Sequence, residues 1–187
     1  MRNATDEEFM LAYAAGDALA FDALYARHRA SVFRYVRRHV GQDRIAEEIF
    51  QDIWMRVIKV RGRYAASARF TTWLYTIAHN RLMDYFRSVG AKPEEVPLPN
   101  DDDDDCDAAA CEENGPEPSL IRRRLAERIL EALDALPVAQ REAFILQQEG
   151  DLTVEEIARV TGVTRETAKS RLRYALVKLR QNLKDMR

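Results

Sequence analysis

Hydrophobic residues recur at intervals of three and four along most of the chain, which is the period of amphipathic α-helices. In residues 43–60, for example, Ile45, Ile49, Ile53 and Val57 fall on one stripe. Similar patterns run through residues 5–40 and return after Leu120, while no useful stretch alternates with the two-residue period of a strand. The pattern therefore predicts an all-α protein.

Capping signals divide the first half into four helices. Thr5 begins a capping box, and Asp17 is placed to cap the second helix, which Gly41 ends. The third helix covers the stripe described above. We expect the fourth to begin at Thr71 or Thr72 and to stop at Gly90, after a short surface loop with the sequence RGRYAASARF.

A change of composition separates two parts of the chain. Residues 91–119 contain five of the six prolines, five consecutive aspartates and 11 acidic residues against one lysine. Such a segment buries too little apolar surface to offset the entropy of ordering it. We therefore predict two small helical domains, residues 1–90 and 120–187, joined by a flexible acidic linker, residues 91–119.

Charge favours a polyanionic partner for both domains, although the whole chain has a net charge of −2. Residues 1–90 and residues 120–187 each carry 14 Lys or Arg against 10 Asp or Glu. Two basic blocks on either side of an acidic strip are typical of nucleic-acid binding. A solvated spacer is the simplest interpretation of the linker aspartates; the alternative is that they compete with DNA for the basic C-terminal helix.

The sequence gives little support for several classes of protein. No run of 18 apolar residues exists, so we expect no membrane insertion, and the N-terminus lacks a signal peptide, so we expect a cytoplasmic protein. His28, His39 and His79 fit no metal-binding spacing, and no phosphate-binding glycine loop or nucleophile–base pair is present. We therefore predict no metal, no cofactor and no enzymatic activity. Cys106 and Cys111 either form a redox pair or have no function.

The segment after Gly150 has the pattern of a helix-turn-helix. Thr153 begins a capping box, Gly162 occupies a turn that needs a positive φ, and Thr164 is placed to cap a second helix. One face of that helix carries Ala168, Leu172, Ala175, Leu176 and Leu179. The polar face and its flanks carry Glu166, Lys169, Ser170, Arg171, Arg173 and Tyr174. The pattern predicts a helix that enters the major groove of DNA, or an amphipathic hairpin with a solvated face.

The third helix gathers acidic residues that do not stabilise it. Asp43, Glu47, Glu48 and Asp52 lie close together in it, with Gln51 alongside. Like charges four residues apart repel slightly in a helix, so intrinsic helix stability does not explain them. They form either a solvated face or a docking surface for a basic partner.

The fourth helix, in the sequence RFTTWLYTIAHNRLMDYFRS, mixes aromatic side chains with basic and polar ones. Aromatic rings stack on unpaired bases while basic groups hold phosphates, so this mixture suits single-stranded nucleic acid. The alternative is that the aromatic residues belong to the core. We expect Trp73, Ile77 and Phe86 to be packed in the core, together with about half of the aromatic side chains of this helix.

Three motifs, in order, resemble those of the extracytoplasmic-function (ECF) sigma factors of bacterial RNA polymerase, in the sigma-70 family. They are AEEIFQD at residues 46–52, FTTWLYTIAHNRLMDYFR at residues 70–87, and EIARVTGVTRETAKSRL at residues 156–172. Leu136, Pro137 and Arg141 match the family pattern before the third motif. The resemblance covers both domains and is specific because the motifs occur together. One departure is Tyr174, where the family commonly has a basic residue.

The resemblance implies a function and a set of site residues. The chain would bind core RNA polymerase, melt and read the −10 promoter element as single strands, and read the −35 element as duplex DNA. The polymerase-binding residues would be Asp43, Glu47, Glu48, Gln51 and Asp52. The −10 residues would be Arg63, Arg69, Phe70, Thr72, Trp73, His79, Asn80 and Arg87. The −35 residues would be Arg165, Glu166, Lys169, Ser170, Arg171, Arg173 and Tyr174.

The resemblance also implies an anti-sigma factor as a further partner. The main alternative function is a helix-turn-helix transcription regulator that acts without polymerase and uses residues 1–90 as a dimer or sensor domain. That alternative predicts a duplex footprint by the isolated protein, with no dependence on core polymerase.

Overall fold

The computed structural model describes residues 4–90 and 119–184, and every regular element in these ranges is helical. The helices are α1 (Asp6–Ala14), α2 (Ala18–Val40), α3 (Asp43–Val60), a short 3₁₀ helix (Arg61–Arg63), α4 (Phe70–Ser88), α5 (Ser119–Asp134), α6 (Val138–Gly150), α7 (Val154–Thr161) and α8 (Arg165–Lys184). The all-α prediction is confirmed. Apart from Ser119, the predicted linker at residues 91–119 lies outside the described residues, and so do its two cysteines.

The helix ends follow the capping residues of the sequence. The Thr5 hydroxyl accepts the Glu8 N–H, and the Glu8 carboxylate accepts the Thr5 N–H in return. Asp17 caps α2 through the Leu19 N–H, and Gly41 ends the same helix with a φ of 70°. These boundaries are readable from sequence because each depends on residues within one turn of the helix end.

The described residues form two compact units. One comprises the described part of Met1–Pro93 together with Ile145–Ala168, and the other comprises the described part of Glu94–Phe144 together with Lys169–Arg187. This grouping follows contacts and divides α6 and α8 between the units. The two domains predicted from sequence, residues 1–90 and 120–187, are continuous segments of the chain, and their boundaries stay a prediction.

The core of the first unit lies among α1 to α4. α1 packs on α2, α2 on α3, and α3 on α4. Within α3, Ile49, Ile53 and Val57 are buried and Ile45 is partly buried, so the predicted stripe faces the interior. Leu24 of α2 and Leu74 of α4 are fully buried. Burial of this apolar surface is the main force that holds the helices together.

The segment before α4 lies mostly at the surface, as predicted, but it begins with the short 3₁₀ helix and two of its side chains are buried. Tyr64 and Phe70 are buried there, and their rings pack edge to face with centroids 6.2 Å apart. α4 also begins at Phe70, one or two residues earlier than predicted, because the Phe70 N–H donates to Glu7 Oε1 of α1 at 2.8 Å. A carboxylate from 63 residues away therefore satisfies an end of the helix that lacks a capping residue of its own.

The second unit has a smaller core. Ala132 and Leu133 of α5 and Leu136, just after α5, pack with Ala175 and Leu179 of α8. Phe144 of α6 lies partly buried against them. These apolar positions of α8 are the ones predicted from sequence, so the helix presents its polar side away from this core.

Candidate functional site

The acidic face of α3 is exposed. All five candidate polymerase-binding residues are exposed, whereas Ala46, Ile49 and Ile53 between them are buried. The helical period thus separates the two sets, with the apolar residues in the core and the polar ones in solvent. The candidates are Asp43, Glu47, Glu48, Gln51 and Asp52.

Two features of this face were not predicted from sequence. Met55 is 64% exposed and follows Gln51 and Asp52 at helical spacing, which was the available signal. Arg81 of α4 donates to Asp52 Oδ2 through Nε at 2.8 Å and through Nη2 at 2.7 Å. Asp43 also has a partner, Arg37 Nε at 2.5 Å. The acidic face therefore contains residues held in place by basic side chains of α2 and α4.

The candidate −10 residues of α4 and the preceding loop divide by burial. Arg63, Arg69, Asn80 and Arg87 are exposed, and Trp73 and His79 are partly buried. Phe70 and Thr72 are buried. The structure therefore leaves six of the eight at least partly accessible to a partner.

The rings beside the start of α4 form an aromatic cluster. The Trp73 ring lies 5.3 Å from that of Tyr64 and 6.0 Å from that of Phe70, measured between centroids. On its other side, Phe70 packs against His28 of α2 at 5.3 Å. Burial raises the pKa of Tyr64 to about 12, with Glu7 and Asp6 contributing, so this phenol is neutral at pH 7. Phe70 and Tyr64 thus support Trp73 from the protein interior.

Thr72 and Arg69 already have protein partners. The Thr72 hydroxyl donates to Glu156 Oε1 of α7 at 2.7 Å. Arg69 Nη1 donates to the Asp151 carbonyl at 3.0 Å and lies 3.4 Å from Glu156 Oε2. Burial alone would raise the pKa of Glu156, but hydrogen bonds from Thr153 and Thr72, together with the charge of Arg69, outweigh it and lower the pKa. Glu156 is therefore a carboxylate at pH 7.

The helix-turn-helix has the geometry expected from its sequence. Thr153 and Glu156 form a capping box at the start of α7, and Gly162 ends that helix with a φ of 69°. The Thr164 hydroxyl accepts the Thr167 N–H at 3.1 Å, which caps α8. Each of these features is local, which is why the sequence predicted them.

The polar side of α8 is open along its first half. Arg165, Glu166 and Lys169 are exposed, and the remaining four candidates are partly buried. Arg165 Nε donates to Glu155 of α7, and this hydrogen bond lowers the pKa of Glu155 and raises that of Arg165. The four partly buried candidates are Ser170, Arg171, Arg173 and Tyr174.

Arg173 and Tyr174 act as a pair. The Arg173 guanidinium carbon lies 5.0 Å from the centroid of the Tyr174 ring, and its Nη2 donates to the Tyr174 hydroxyl at 3.3 Å. A cation over an aromatic face is attracted by the ring quadrupole. The unusual tyrosine of this chain is therefore in contact with the neighbouring basic side chain.

Among residues 4–90 and 119–184, no group of three or more His, Cys, Asp or Glu side chains is arranged to hold a metal ion. Within the same ranges, none of the helices combines the length and the apolar character needed to cross a membrane.

Two known protein families match this chain, one in each half. Residues 24–91 match the family described as Sigma-70 region 2, and residues 126–179 match Sigma-70, region 4. The RNA polymerase sigma factor CarQ of Myxococcus xanthus is 32% identical over 89% of this chain and 91% of its own length. The ECF RNA polymerase sigma factor SigM of Mycobacterium tuberculosis is 29% identical over 94% of this chain and 83% of its own.

Solved structures share the fold. CnrH, in complex with the cytosolic domain of CnrY, superposes with a TM-score of 0.68 at 20% identity and covers 96% of this chain and 97% of its own. The sigma factor RpoE of Bartonella quintana, in complex with the anti-sigma factor NepR, has a TM-score of 0.63 at 22% identity. The match covers 89% of this chain and 98% of RpoE. The near-full-length relative and the two matched regions show that this chain belongs to the ECF group of the sigma-70 family and directs promoter-specific transcription initiation with RNA polymerase.

Proposed function

We propose that the acidic face of α3 is the surface that docks on core RNA polymerase. The observation that carries this proposal is the exposure of all five candidates beside a buried apolar stripe. Carboxylates on such a face complement a basic partner, and charge complementarity speeds encounter and fixes register. The sequence resemblance implies that the partner is a basic coiled coil of the largest polymerase subunit. Met55 would add an apolar contact within the same face.

Residues at the start and along the outer side of α4 would open the −10 element. Trp73 rests on Phe70 and Tyr64, so its ring is positioned to take the place of a stacked base. Asn80 is exposed and can hydrogen-bond a base that has left the stack, while Arg63 and Arg87 can hold phosphates. Phe70, being buried, contributes by supporting Trp73.

The first half of α8 would read the −35 element as duplex DNA. Arg165, Lys169 and Arg171 are placed for phosphate and base-edge contacts near the start of a recognition helix. Arg173 and Tyr174 lie one turn further along α8. Because Tyr174 replaces a basic residue that is common in the family, its contact with Arg173 would shift the −35 preference of this chain.

The remaining parts of the proposal concern partners and location. The solved relatives CnrH and RpoE are complexes, the second with an anti-sigma factor, and we propose that an anti-sigma factor controls this chain too. A protein that meets RNA polymerase and promoter DNA acts in the cytoplasm. It stabilises melted DNA by binding energy alone, without catalysing a reaction and without a cofactor.

A charge reversal on α3 tests the docking surface. We expect Glu48→Lys to weaken binding to core polymerase by about tenfold or more, because a charge opposite the basic partner is replaced by a like charge. Glu131→Lys, on the exposed side of α5, makes the same change of charge elsewhere. The measurement is the affinity of labelled full-length protein for core polymerase. Equal weakening by both substitutions would contradict a docking role for α3.

Footprinting of promoter DNA with the same full-length protein distinguishes a sigma factor from a helix-turn-helix regulator that acts without polymerase. A sigma factor needs core polymerase to occupy promoter DNA, whereas a regulator of the alternative class protects a duplex site alone. We expect footprints on promoter DNA only when core polymerase is present. A duplex footprint of equal strength without polymerase would favour the alternative.

A further inference from the structure

The first turn of α1 connects α2 and α4 through two consecutive carboxylates. Asp6 Oδ1 accepts a hydrogen bond from Arg27 Nη1 of α2 at 2.6 Å, and Asp6 Oδ2 lies 2.7 Å from His28 Nε2 of the same helix. Glu7, the next residue, turns to α4 and accepts the Phe70 N–H at 2.8 Å. Because one turn of α1 reaches both neighbours, it fixes the start of α4 relative to α2.

The segment that leads into α4 also lies beside α1. The Arg61 guanidinium carbon is 5.4 Å from the centroid of the Tyr13 ring, so the last turn of α1 contacts the short 3₁₀ helix. Tyr64 is buried, and burial raises its pKa to about 12, with a further contribution from the charge of Glu7. Three points of the segment, Arg61, Tyr64 and Phe70, are therefore placed next to α1.

The first turn of α4 depends on Glu7. The N-cap residue of α4 is Arg69, and its side chain makes no hydrogen bond that caps the helix. The Glu7 carboxylate supplies the acceptor instead, and its charge lies at the positive end of the helix dipole. Trp73 follows Phe70 by one helical turn, and their ring centroids are 6.0 Å apart. A shift of the first turn therefore moves both rings.

We propose that α1 is a scaffold for the end of α4 that opens promoter DNA, and that Glu7 is a positioning residue, which holds the Trp73 ring in the orientation that melting requires. Glu7 has this role only if Trp73 opens DNA, so the proposal rests on the function proposed above. α1 lies before residues 24–91, the part of the chain that matches Sigma-70 region 2. It thus has a role that none of the three family motifs assigns to it.

The effect of Glu7 falls on promoter melting and not on assembly. Glu7 belongs neither to the α3 face proposed to dock on polymerase nor to the α8 residues proposed to read duplex DNA. Its replacement therefore leaves polymerase binding and the closed complex unchanged. Melting slows, because the Trp73 ring is no longer preorganised to take the place of a stacked base. We expect Glu7→Ala to slow melting about fivefold, the effect of one lost helix cap felt in full at that step.

Four variants of the full-length protein separate the hydrogen bond from the charge. Glu7→Asp keeps the charge but is too short to reach the Phe70 N–H, so it should be impaired like Glu7→Ala. Glu7→Gln loses the charge but keeps an oxygen that accepts this N–H, so it should recover most of the parent rate. Glu8→Ala is the matched control, because it removes the same charge and breaks the capping box with Thr5 within α1. It should melt promoters at the parent rate.

The free protein provides the first readout. The chain contains two tryptophans, so a Trp54→Phe background leaves Trp73 as the only one, and quenching by acrylamide then measures the exposure of its ring. Glu7→Ala and Glu7→Asp should raise the quenching constant, while Glu7→Gln and Glu8→Ala should leave it near the parent value. Circular dichroism checks that each variant is folded, and Glu7→Asp replaces Glu7→Ala if the latter is not.

The second readout separates assembly from melting on a promoter selected from a library by transcription with core polymerase and this protein. Binding of the holoenzyme to this promoter at low temperature measures the closed complex, and permanganate reactivity of unpaired thymines measures melting. The same promoter with a mismatched −10 segment is already open. The parent protein and Glu7→Ala should therefore be equally active on the mismatched promoter.

Three results would overturn the role of Glu7: unchanged quenching in Glu7→Ala, equally slow melting in Glu8→Ala, or a defect of Glu7→Ala that persists on the mismatched promoter. Trp73→Ala distinguishes these failures from failure of the proposed function. If Trp73→Ala slows melting and Glu7→Ala does not, the proposed function stands and the role of Glu7 fails. If Trp73→Ala melts promoters at the parent rate, the proposed role of Trp73 fails, and that of Glu7 fails with it.

Discussion

At the scale of single residues, Arg81 is the side chain that connects α4 to the acidic face of α3. Two of its nitrogens donate to one oxygen of Asp52, and its side chain is 22% exposed. An arginine fork fixes the direction of a carboxylate more tightly than a single hydrogen bond does. We therefore propose Arg81 as a positioning residue for the acidic face of α3.

Removing this fork should weaken polymerase binding without unfolding the protein. We expect Arg81→Ala to reduce affinity for core polymerase about threefold to tenfold, since Asp52 then samples several orientations. The free energy of unfolding should fall by about 1 kcal/mol or less, because the pair is partly exposed. Arg81→Lys should restore part of the affinity, and Arg29→Ala, exposed on α2, serves as the control. Unchanged affinity with Arg81→Ala would show that Asp52 needs no support.

At the scale of elements, the helix-turn-helix depends on a left-handed residue between α7 and α8. Gly162 has a φ of 69°, and a Cβ added there would meet nothing within 4 Å. The requirement is therefore one of backbone conformation and not of space. A residue with a Cβ is strained in this region, whereas glycine is not.

Gly162→Ala should accordingly lower the free energy of unfolding by about 1 kcal/mol. Gly62 provides a matched control, because it too has open space around its Cβ position but its φ is not in the left-handed range. Chemical denaturation should show a lower midpoint for Gly162→Ala with an unchanged slope, and almost no shift for Gly62→Ala. A similar shift in both variants would refute the conformational explanation.

How far sequence predicts each element depends on the distance between interacting residues. The caps at Thr5, Asp17, Thr153 and Gly162 were readable because each involves neighbours within one helical turn. The start of α4 was not, because Glu7 of α1 satisfies it from far along the chain. The same reason hid the burial of Tyr64 and the fork from Arg81, which arise only after α1, α3 and α4 have packed.

At the scale of the whole molecule, the proposed function requires two DNA-reading parts and one polymerase-docking face, and each set of candidates has exposed members. The acidic residues of α3, the outer residues of α4 and the first half of α8 were all identified from sequence as sites, and their exposed members lie where a partner can reach them. The contacts of Glu149 with Arg34 and Arg38 were not foreseen, since nothing in a local pattern pairs residues more than 100 positions apart. These ion pairs are therefore a property of the fold and not of any motif.

Transcription by core RNA polymerase from a library of promoter sequences, with and without this protein, tests the central claim most directly. The account predicts transcripts that appear only when the protein is added. Their templates should share two sequence blocks at a constant spacing upstream of the start sites, one read as single strands and one as duplex. The same set of transcripts with and without the protein would contradict the account.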